Sequence, residues 1–451
     1  MSDEVDAVLE RVRSRVVPDA AEREALQAAL DEVVDRAEAA VDDLAVDADV
    51  LHVGSTARDT WLAGDRDLDV FVRFPTDLSR ADLESYGLDV GHAVLPAGHE
   101  EYAEHPYVVG EVDGFRVDLV PCYAVDSAPD VRSAVDRTPF HNEYLQARLD
   151  PTLADDVRVA KQFLSGIRVY GSDLRTRGFS GFLVELLVLH YGDVRSLLEA
   201  AADWGPPVTV DPENHGTTDF DDPLVVIDPT DPDRNVAAVC SAENVARLQH
   251  YARTLLADPD EGLFEPRDPD PLSATDVREH FATRGTTPVA VRFDVPDLVD
   301  DQLYPQLEKS VGGLTAELDR RAFDVLRADA FADESAVLLA ELEVAARPRV
   351  ERHEGPPVHV REHAENFFDA YADDDSVAGP FIDDDRYVVE RQREFETAAD
   401  FLTSDALFDV ALGAHVETAL RRDYDVLVGE GVAALAEEFG SDLARYLDPA
   451  P

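Results

Sequence analysis

Asp67 and Asp69, one residue apart in the stretch GSTARDTWLAGDRDLDVFVRF (54–74), are two carboxylates whose spacing suits cation chemistry. Leu68, Val70 and Val72 alternate with them, as in a strand that turns its apolar side to a core and both acids to the other face. Like charges held so close repel unless a cation lies between them, and hard oxygen ligands of this kind suit Mg²⁺. A second alternating run, GFRVDLV (114–120), sets Arg116 and Asp118 on one face and Phe115, Val117 and Leu119 on the other. If the two runs are neighbours, Asp118 completes a three-carboxylate site able to hold two metals. Such a pair activates an attacking hydroxyl and stabilises a departing pyrophosphate.

Gly54-Ser55 supplies the complementary half. It follows the apolar run VLHV (50–53) and precedes the helix-like TARDTWL. Backbone N–H groups and the Ser55 hydroxyl can therefore hold a phosphate at a helix start. Arg58, one turn on, adds a charge-assisted contact. In a chain with 96 acidic residues an isolated Asp-x-Asp arises by chance. Its conjunction with a strand, a Gly-Ser turn and apolar alternation is what carries the chemistry.

The elements that must position these groups are legible around them. Residues 21–46 place Leu26, Leu30, Val33, Val34, Ala37, Val41 and Leu44 on one helical stripe, with acids opposite. Together with the three strands they predict a small mixed domain over residues 1–147. A helical pattern follows, in DDVRVAKQFLSGIRVYG and in FSGFLVELLVLHYG, the latter apolar on nearly every side and so buried. It predicts an all-α central domain over 148–262. Pro259, Pro266, Pro269 and Pro271 mark a linker. Beyond it, over 263–451, VAVRF, a helix at 301–319, FDVLRADAFA and SAVLLAELEV read as β-α-β-β. That order fits a ferredoxin-like module of the kind that often faces RNA. Residues 350–400 are polar and acidic without a readable element, and the last fifty residues read as helical.

Composition sets the milieu. There are 96 acidic and 40 basic residues, a net charge of −56, and only Lys161 and Lys309 are lysines, leaving 40 − 2 = 38 arginines. Such a surface stays hydrated in concentrated salt, where screening removes its self-repulsion, so the source reads as a salt-loving organism. The acidity therefore does not exclude a nucleic-acid partner. Apolar residues at 45% argue against disorder. Cys122 and Cys240 have no metal-like spacing and point to a reducing compartment. With no signal peptide and no membrane-length apolar run, a cytoplasmic location is expected.

Gly-Ser, Asp-x-Asp and a later lone Asp on a strand resemble the DNA polymerase β-like nucleotidyltransferases. The phrase GSTARDTWLAGDRDLDVFVRFP, with VDLVPCY (117–123), SAVDRTPFH (133–141), YGSDLRTRGFSGFLVELL (170–187), DRNVAA (233–238) and LYPQLE (303–308), resembles the archaeal-type (class I) CCA-adding enzymes. The likeness runs over essentially the whole chain. It implies an α+β multidomain enzyme with a polymerase β-like catalytic head, a helical neck and a ferredoxin/RRM-like body with a tail. It further implies template-independent addition of C, C and A to the 3′ end of tRNA from CTP and ATP, with recognition of the acceptor stem and TΨC arm. Carried over by position, the metal ligands fall on Asp67, Asp69 and Asp118. The triphosphate and nucleotide contacts fall on Gly54, Ser55, Arg58, His141, Lys161 and Tyr170, and the base-reading arginine on Arg234. Some members carry Glu where this chain has Asp67, and the shorter arm can still ligate Mg²⁺. A homodimer is compatible with the sequence.

Other residues carry less. In a chain nearly free of lysine, Lys161 on a helix near the site is explained equally by phosphate contact and by a surface remnant. Lys309 reads as surface. His99 and His105 have no further ligands clustered with them; the resemblance instead sets Tyr102 and His105 near the RNA 3′ end. Tyr304, Phe367, Phe368 and Tyr371 could stack on bases, but core packing is the simpler role. The rival readings are a poly(A) polymerase-like enzyme, which would use one nucleotide, and a catalytically silent RNA-binding protein on the same fold.

Overall fold

The computed structural model describes residues 2–451 and divides into two compact units, Met1–Arg267 with Pro451, and Asp268–Ala450. The first unit begins with α1 (Ser2–Val16) and α2 (Ala20–Asp42). A capping box starts α2: the Asp19 side chain accepts from the Glu22 N–H, and the Glu22 carboxylate accepts from the Asp19 N–H. Leu26, Ala29, Leu30, Val33, Ala37 and Val41 form its buried stripe, as the periodicity requires.

A five-stranded sheet follows, in the order β1-β2-β5-β4-β3. Its strands are β1 (Asp49–Val53), β2 (Asp67–Phe74), β3 (His99–Tyr102), β4 (Pro106–Val112) and β5 (Phe115–Tyr123). The single helical turn α3 (Gly54–Ala57) joins β1 to β2, and α4 (Arg80–Val94) follows β2. The pair β2–β5 is parallel and the other pairs are antiparallel. Leu68, Val70, Val72, Val117 and Leu119 point to one face and pack with α2 and α4. The opposite face holds only a small apolar cluster of Val53, Phe71, Val120 and Cys122, which leaves its outer end to the acids. The helix expected from TARDTWL stops after one turn. Asp59 takes a left-handed φ of 53°, and the Thr60 N–H returns to the Ser55 carbonyl at 2.8 Å.

The rest of the unit packs α5 (Thr138–Gln146), α6 (Pro151–Gly166), α7 (Gly181–Tyr191), α8 (Val194–Ala202) and α9 (Ala242–Ala257) around a second core. Six consecutive residues of α7, Leu183 to Val188, are buried, matching its all-round apolarity. From α1, Val5, Val8, Leu9, Val12 and Val16 join this core rather than the core beneath the sheet. The all-α expectation for the segment needs a correction. Strands β6 (Val208–Val210), β7 (Leu224–Asp228) and β8 (Asp231–Asn235) form a three-stranded sheet. Every residue of β7 is buried, so its sequence shows no alternation to distinguish it from an apolar helix segment.

In the second unit, α10 (Ala274–Arg284) precedes β9 (Thr287–Asp294), α11 (Asp300–Arg320), β10 (Val325–Ala332) and β11 (Ser335–Leu342). These strands, with β15 (Asp425–Val428), make an antiparallel sheet in the order β10-β11-β9-β15. That is the ferredoxin-like arrangement the β-α-β-β order predicts. Between β11 and β15 lies a smaller antiparallel sheet of β12 (Val350–Pro357), β13 (Ala378–Asp383) and β14 (Arg386–Gln392), with α12 (Arg361–Tyr371) beside it. Helices α13 (Ala398–Leu402) and α14 (Ala414–Leu420) lead to β15, and α15 (Ala436–Leu447) closes the chain. The last fifty residues are thus not wholly helical: β15 forms because β9 offers it an open edge.

Candidate active site

Strand register decides whether the acids meet. In the parallel β2–β5 pair Asp69 lies opposite Asp118, and Asp67 opposite Arg116. Across β1, Val53 pairs with Asp69, which brings the Gly54 turn over the same carboxylate. A Cβ on Gly54 would lie 1.9 Å from Asp69 Oδ2, and its φ is +81°. Only glycine fits this turn against this acid. Burial pushes the Asp69 carboxyl up to about 6, and the charge of Asp118 adds to it against the opposing fields of Arg58 and Arg116. Asp118 is also raised, first by burial, although Arg116 Nε donates to it at 3.0 Å. The same guanidinium reaches Glu101 at 3.3 Å, and Glu101 accepts from the Tyr107 hydroxyl at 2.9 Å.

As they stand, the three carboxylates are not drawn into one ligand set; among the described residues no group of three or more His, Cys, Asp or Glu is. Their chemistry nevertheless fits a hard divalent cation. The donors are oxygen only, they sit on adjacent strands, and the Asp69 carboxyl, raised by burial and next by the charge of Asp118, is one whose ionised form a cation would favour.

A second group of charges lies behind the Gly-Ser turn. Arg58 and Lys161 converge on Glu185 of α7, which is fully buried. Arg58 reaches it at 3.0–3.2 Å, and Lys161 Nζ at 3.7 Å. The Thr60 hydroxyl donates to Glu185 as well. Lys161 Nζ also donates to the Thr60 carbonyl at 2.9 Å, and Arg58 to Asn142 at 3.2 Å. Lys161 is only 2% exposed, so it is no surface remnant. Burial lowers its pKa while the charge of Glu185 opposes that shift. A Cβ on Gly181 would lie 3.2 Å from the Tyr170 hydroxyl and 3.7 Å from Lys161 Nζ, so Tyr170 and Lys161 meet at the start of α7.

A third group gathers on β7. His141 stacks on Phe182 with ring centroids 4.0 Å apart, and its Nε2 donates to Asp228 Oδ2 at 2.8 Å. Arg234 donates to the same oxygen at 2.7 Å. The fold thus brings together Asp67, Asp69 and Asp118 with Gly54 and Ser55, joins Arg58, Lys161 and Tyr170 through Glu185 and Gly181, and joins His141 and Arg234 through Asp228. Glu185 and Asp228 escape sequence reading because they are single acids among 96 in apolar surroundings. The apolar context was their one available signal, since an acid inside LVELL or LVVID must find a partner.

Other candidates separate. His99 is exposed beside Glu101, and Tyr102 is 76% exposed. His105 is buried against Glu84 and is no part of a metal cluster. Phe367 packs with Tyr371, Phe368 with Tyr387, and Lys309 is exposed.

Known protein families match along the chain: the nucleotidyltransferase domain over residues 34–141, the tRNA nucleotidyltransferase second domain over 155–265, and the CCA-adding enzyme C-terminal domain over 284–429. A CCA-adding enzyme of Haloarcula marismortui is 62% identical with full coverage of both chains, and one of Halorubrum lacusprofundi 61%, again in full. A CCA-adding enzyme of Methanosarcina mazei is 40% identical over 96% of this chain and 95% of its own. A solved cytoplasmic RNA terminal U-transferase overlays with a TM-score of 0.46 at 14% identity, covering 59% of this chain and 99% of that one. With full-length identity at this level and three successive domains matched in order, the chain belongs to the CCA-adding enzymes, the tRNA nucleotidyltransferases of archaeal type.

Proposed function

We propose that the chain adds cytidine, cytidine and adenosine to the 3′ end of tRNA from CTP and ATP, releasing pyrophosphate at each step. The observation that carries this reading is the register of Asp69 against Asp118 beneath the Gly54 turn, in a chain related over its whole length to CCA-adding enzymes. The tRNA 3′-hydroxyl attacks the α-phosphate in line with the departing pyrophosphate. Asp67, Asp69 and Asp118 would hold Mg²⁺, which when bound lowers the pKa of that hydroxyl and offsets charge on the phosphates.

The protein's own part is to place and neutralise. The Gly54-Ser55 turn offers backbone N–H groups and a hydroxyl to a phosphate. Arg58 and Lys161 present cations whose positions Glu185 fixes, so they need little reorganisation when the triphosphate arrives. Tyr170 and His141 both meet the first turn of α7, at Gly181 and Phe182, and Arg234 lends its unpaired guanidinium nitrogens to the base. The acceptor stem and TΨC arm are read by shape, stacking and hydrogen bonds more than by ion pairs, because phosphate–cation attraction weakens steeply with salt. Two buried, unpaired thiols fit a reducing cytoplasm.

Incubation with tRNA ending at position 73, labelled CTP and ATP, and Mg²⁺, followed by sequencing of the products, tests the proposal. Addition that stops after CCA supports it. A homopolymeric A tail would instead mark a poly(A) polymerase-like enzyme, and absence of any metal-dependent addition an inert RNA-binding protein.

A further inference from the structure

We infer that Asp228 is the positioning residue that sets which base is accepted, by holding Arg234 and His141 on a single carboxylate oxygen. The inference rests on the reading of Arg234 as the base contact. Asp228 ends β7 and is fully buried, where an ionised acid persists only when every lone pair is used. Here they are used. Oδ1 accepts from the Thr230 N–H and the Thr230 hydroxyl, both at 2.8 Å. Oδ2 accepts from His141 Nε2 at 2.8 Å and from Arg234 NH1 at 2.7 Å. Burial would raise this carboxyl, but the His141 bond and charge, followed by the Thr230 bonds, hold it well below the usual carboxylate range.

Two consequences follow for the groups it holds. The ionised acid accepts from Nε2, so that nitrogen carries the proton and the His141 Nδ1 is left for a ligand, with Phe182 at 4.0 Å fixing the ring plane. Arg234 spends one terminal nitrogen on Asp228, while its side chain remains 38% exposed. That tether at NH1 restricts the swing of the guanidinium and leaves the other terminal nitrogen and Nε for a base edge, as discrimination of one edge from another requires. A flexible arginine at this exposed position would meet C, A and U edges alike. Asp228 itself touches no substrate; its action passes through Arg234 and His141.

Arg234 and His141 are thereby coupled through one oxygen. Asn in place of Asp228 would keep the Thr230 bonds but turn an amide N–H₂ toward two donors, releasing the guanidinium.

The test is steady-state kinetics of Asp228→Asn, Arg234→Ala and the double variant, with CTP, ATP and UTP on tRNA lacking CCA, in molar KCl. Losing a buried charge-assisted hydrogen bond should raise KM for CTP and ATP about 10- to 100-fold, with kcat changed far less, and should narrow the preference for CTP over UTP by a similar factor. The double variant should lose clearly less than the product of the two single losses, since the Asp228–Arg234 bond is common to both and only the His141 contact is lost in addition. A fall in kcat at unchanged KM, intact CTP-over-UTP preference, or multiplied losses in the double variant would overturn the inference. If Asp228→Asn melts below the assay temperature, Asp228→Glu takes its place, and the same pattern at smaller size is required of it. If Arg234→Ala alone leaves CTP and ATP use intact, the base-contact reading fails, and this inference with it.

Discussion

Glu185→Gln is the perturbation that most directly probes how the site is built. Glu185 is fully buried and faces two cations, Arg58 and Lys161, themselves almost wholly buried. Removing one partner of a buried, hydrogen-bonded pair costs about 3–5 kcal/mol, because the remaining charge is stranded in low dielectric. Here two cations are stranded at once. Both keep anchors, Arg58 the Asn142 side-chain oxygen at 3.2 Å and Lys161 the Thr60 carbonyl at 2.9 Å and hydroxyl at 3.2 Å, which argues against a larger loss. For a unit of this size such a loss lowers the melting temperature on the order of 10 °C. A triphosphate returns the missing negative charge, so CTP with Mg²⁺ should raise the melting temperature more in the variant than in the parent. The pH dependence carries a sign. Burial lowers the Lys161 pKa and Glu185 opposes the shift, so without Glu185 the folded value falls further below the ordinary 10.5. The unfolded state then binds more protons across that window, and stability rises with pH through it. The deficit against the parent should accordingly be smaller at pH 10 than at pH 7. Thermal melts in molar KCl at pH 7 and pH 10, with and without CTP and Mg²⁺, measure all three effects. A melting temperature within about 2 °C of the parent, a shift too small for a lost buried pair, would refute the account of Glu185 as the shared counter-ion.

Further outcomes follow from the same geometry. Asp118→Ala should abolish nucleotide addition while leaving tRNA affinity, read by filter binding, within a few-fold; normal incorporation would sink the metal-site assignment. In metal-free protein the Asp69 carboxyl, raised to about 6 against an ordinary 3.8, makes folding less favourable as pH rises between those values. Asp69→Asn should therefore be more stable than the parent above pH 6, by on the order of 2–3 kcal/mol in denaturant titrations with chelator, and equal or lower stability would contradict that field. Gly54→Ala forces a Cβ to 1.9 Å from Asp69 Oδ2 at a positive φ. A strain of about 1–2 kcal/mol with near-complete loss of transfer is expected, and full activity would show that the turn can move aside. Addition of CCA should persist in molar KCl, and loss of tRNA binding there would argue against shape-led recognition.

How much of this could be read from the chain depended on the kind of constraint each residue obeys. Asp67, Asp69 and Asp118 were legible because strand alternation fixes their face, and a strand pairing then fixes their neighbour. The α2 stripe was legible for the same reason at helical period. The turn Gly54–Ala57 was legible as a turn but not in its length, because what ends it is the Thr60 N–H returning to the Ser55 carbonyl. Strand β7 was hidden since total burial erases alternation, and β15 because four residues become a strand only through β9. The sheet of β12, β13 and β14 was hidden by exposure, since β13 has no buried residue and so leaves no apolar pattern. Glu185 and Asp228 lie at the limit of what sequence offers. Arg58 lies 127 residues from Glu185 and His141 87 from Asp228, so these two contacts are revealed only by the tertiary fold.

The abundance of surface charge and the scarcity of usable charge are two sides of one condition. At molar salt the screening length is about 3 Å, so exposed pairs such as Arg80 with Glu84 or Arg361 with Glu365 contribute almost nothing to steering or affinity. A cation that must act on phosphate has to be kept where ions cannot follow. Lys161 and Arg58 lie so, buried behind the Gly-Ser turn, with Glu185 as the one carboxylate they share in the resting protein. The shared carboxylate also lets two cations be held close together without a ligand, which isolated burial would forbid. Of the chain's two lysines, the exposed one on α11 is an ordinary solvated residue, and the buried one sits at the candidate site. Replacing surface lysines leaves function intact where screening has already silenced them, but not where burial preserves their field. In this fold, the electrostatics that can work on a nucleotide in concentrated salt are those the interior has withdrawn from it.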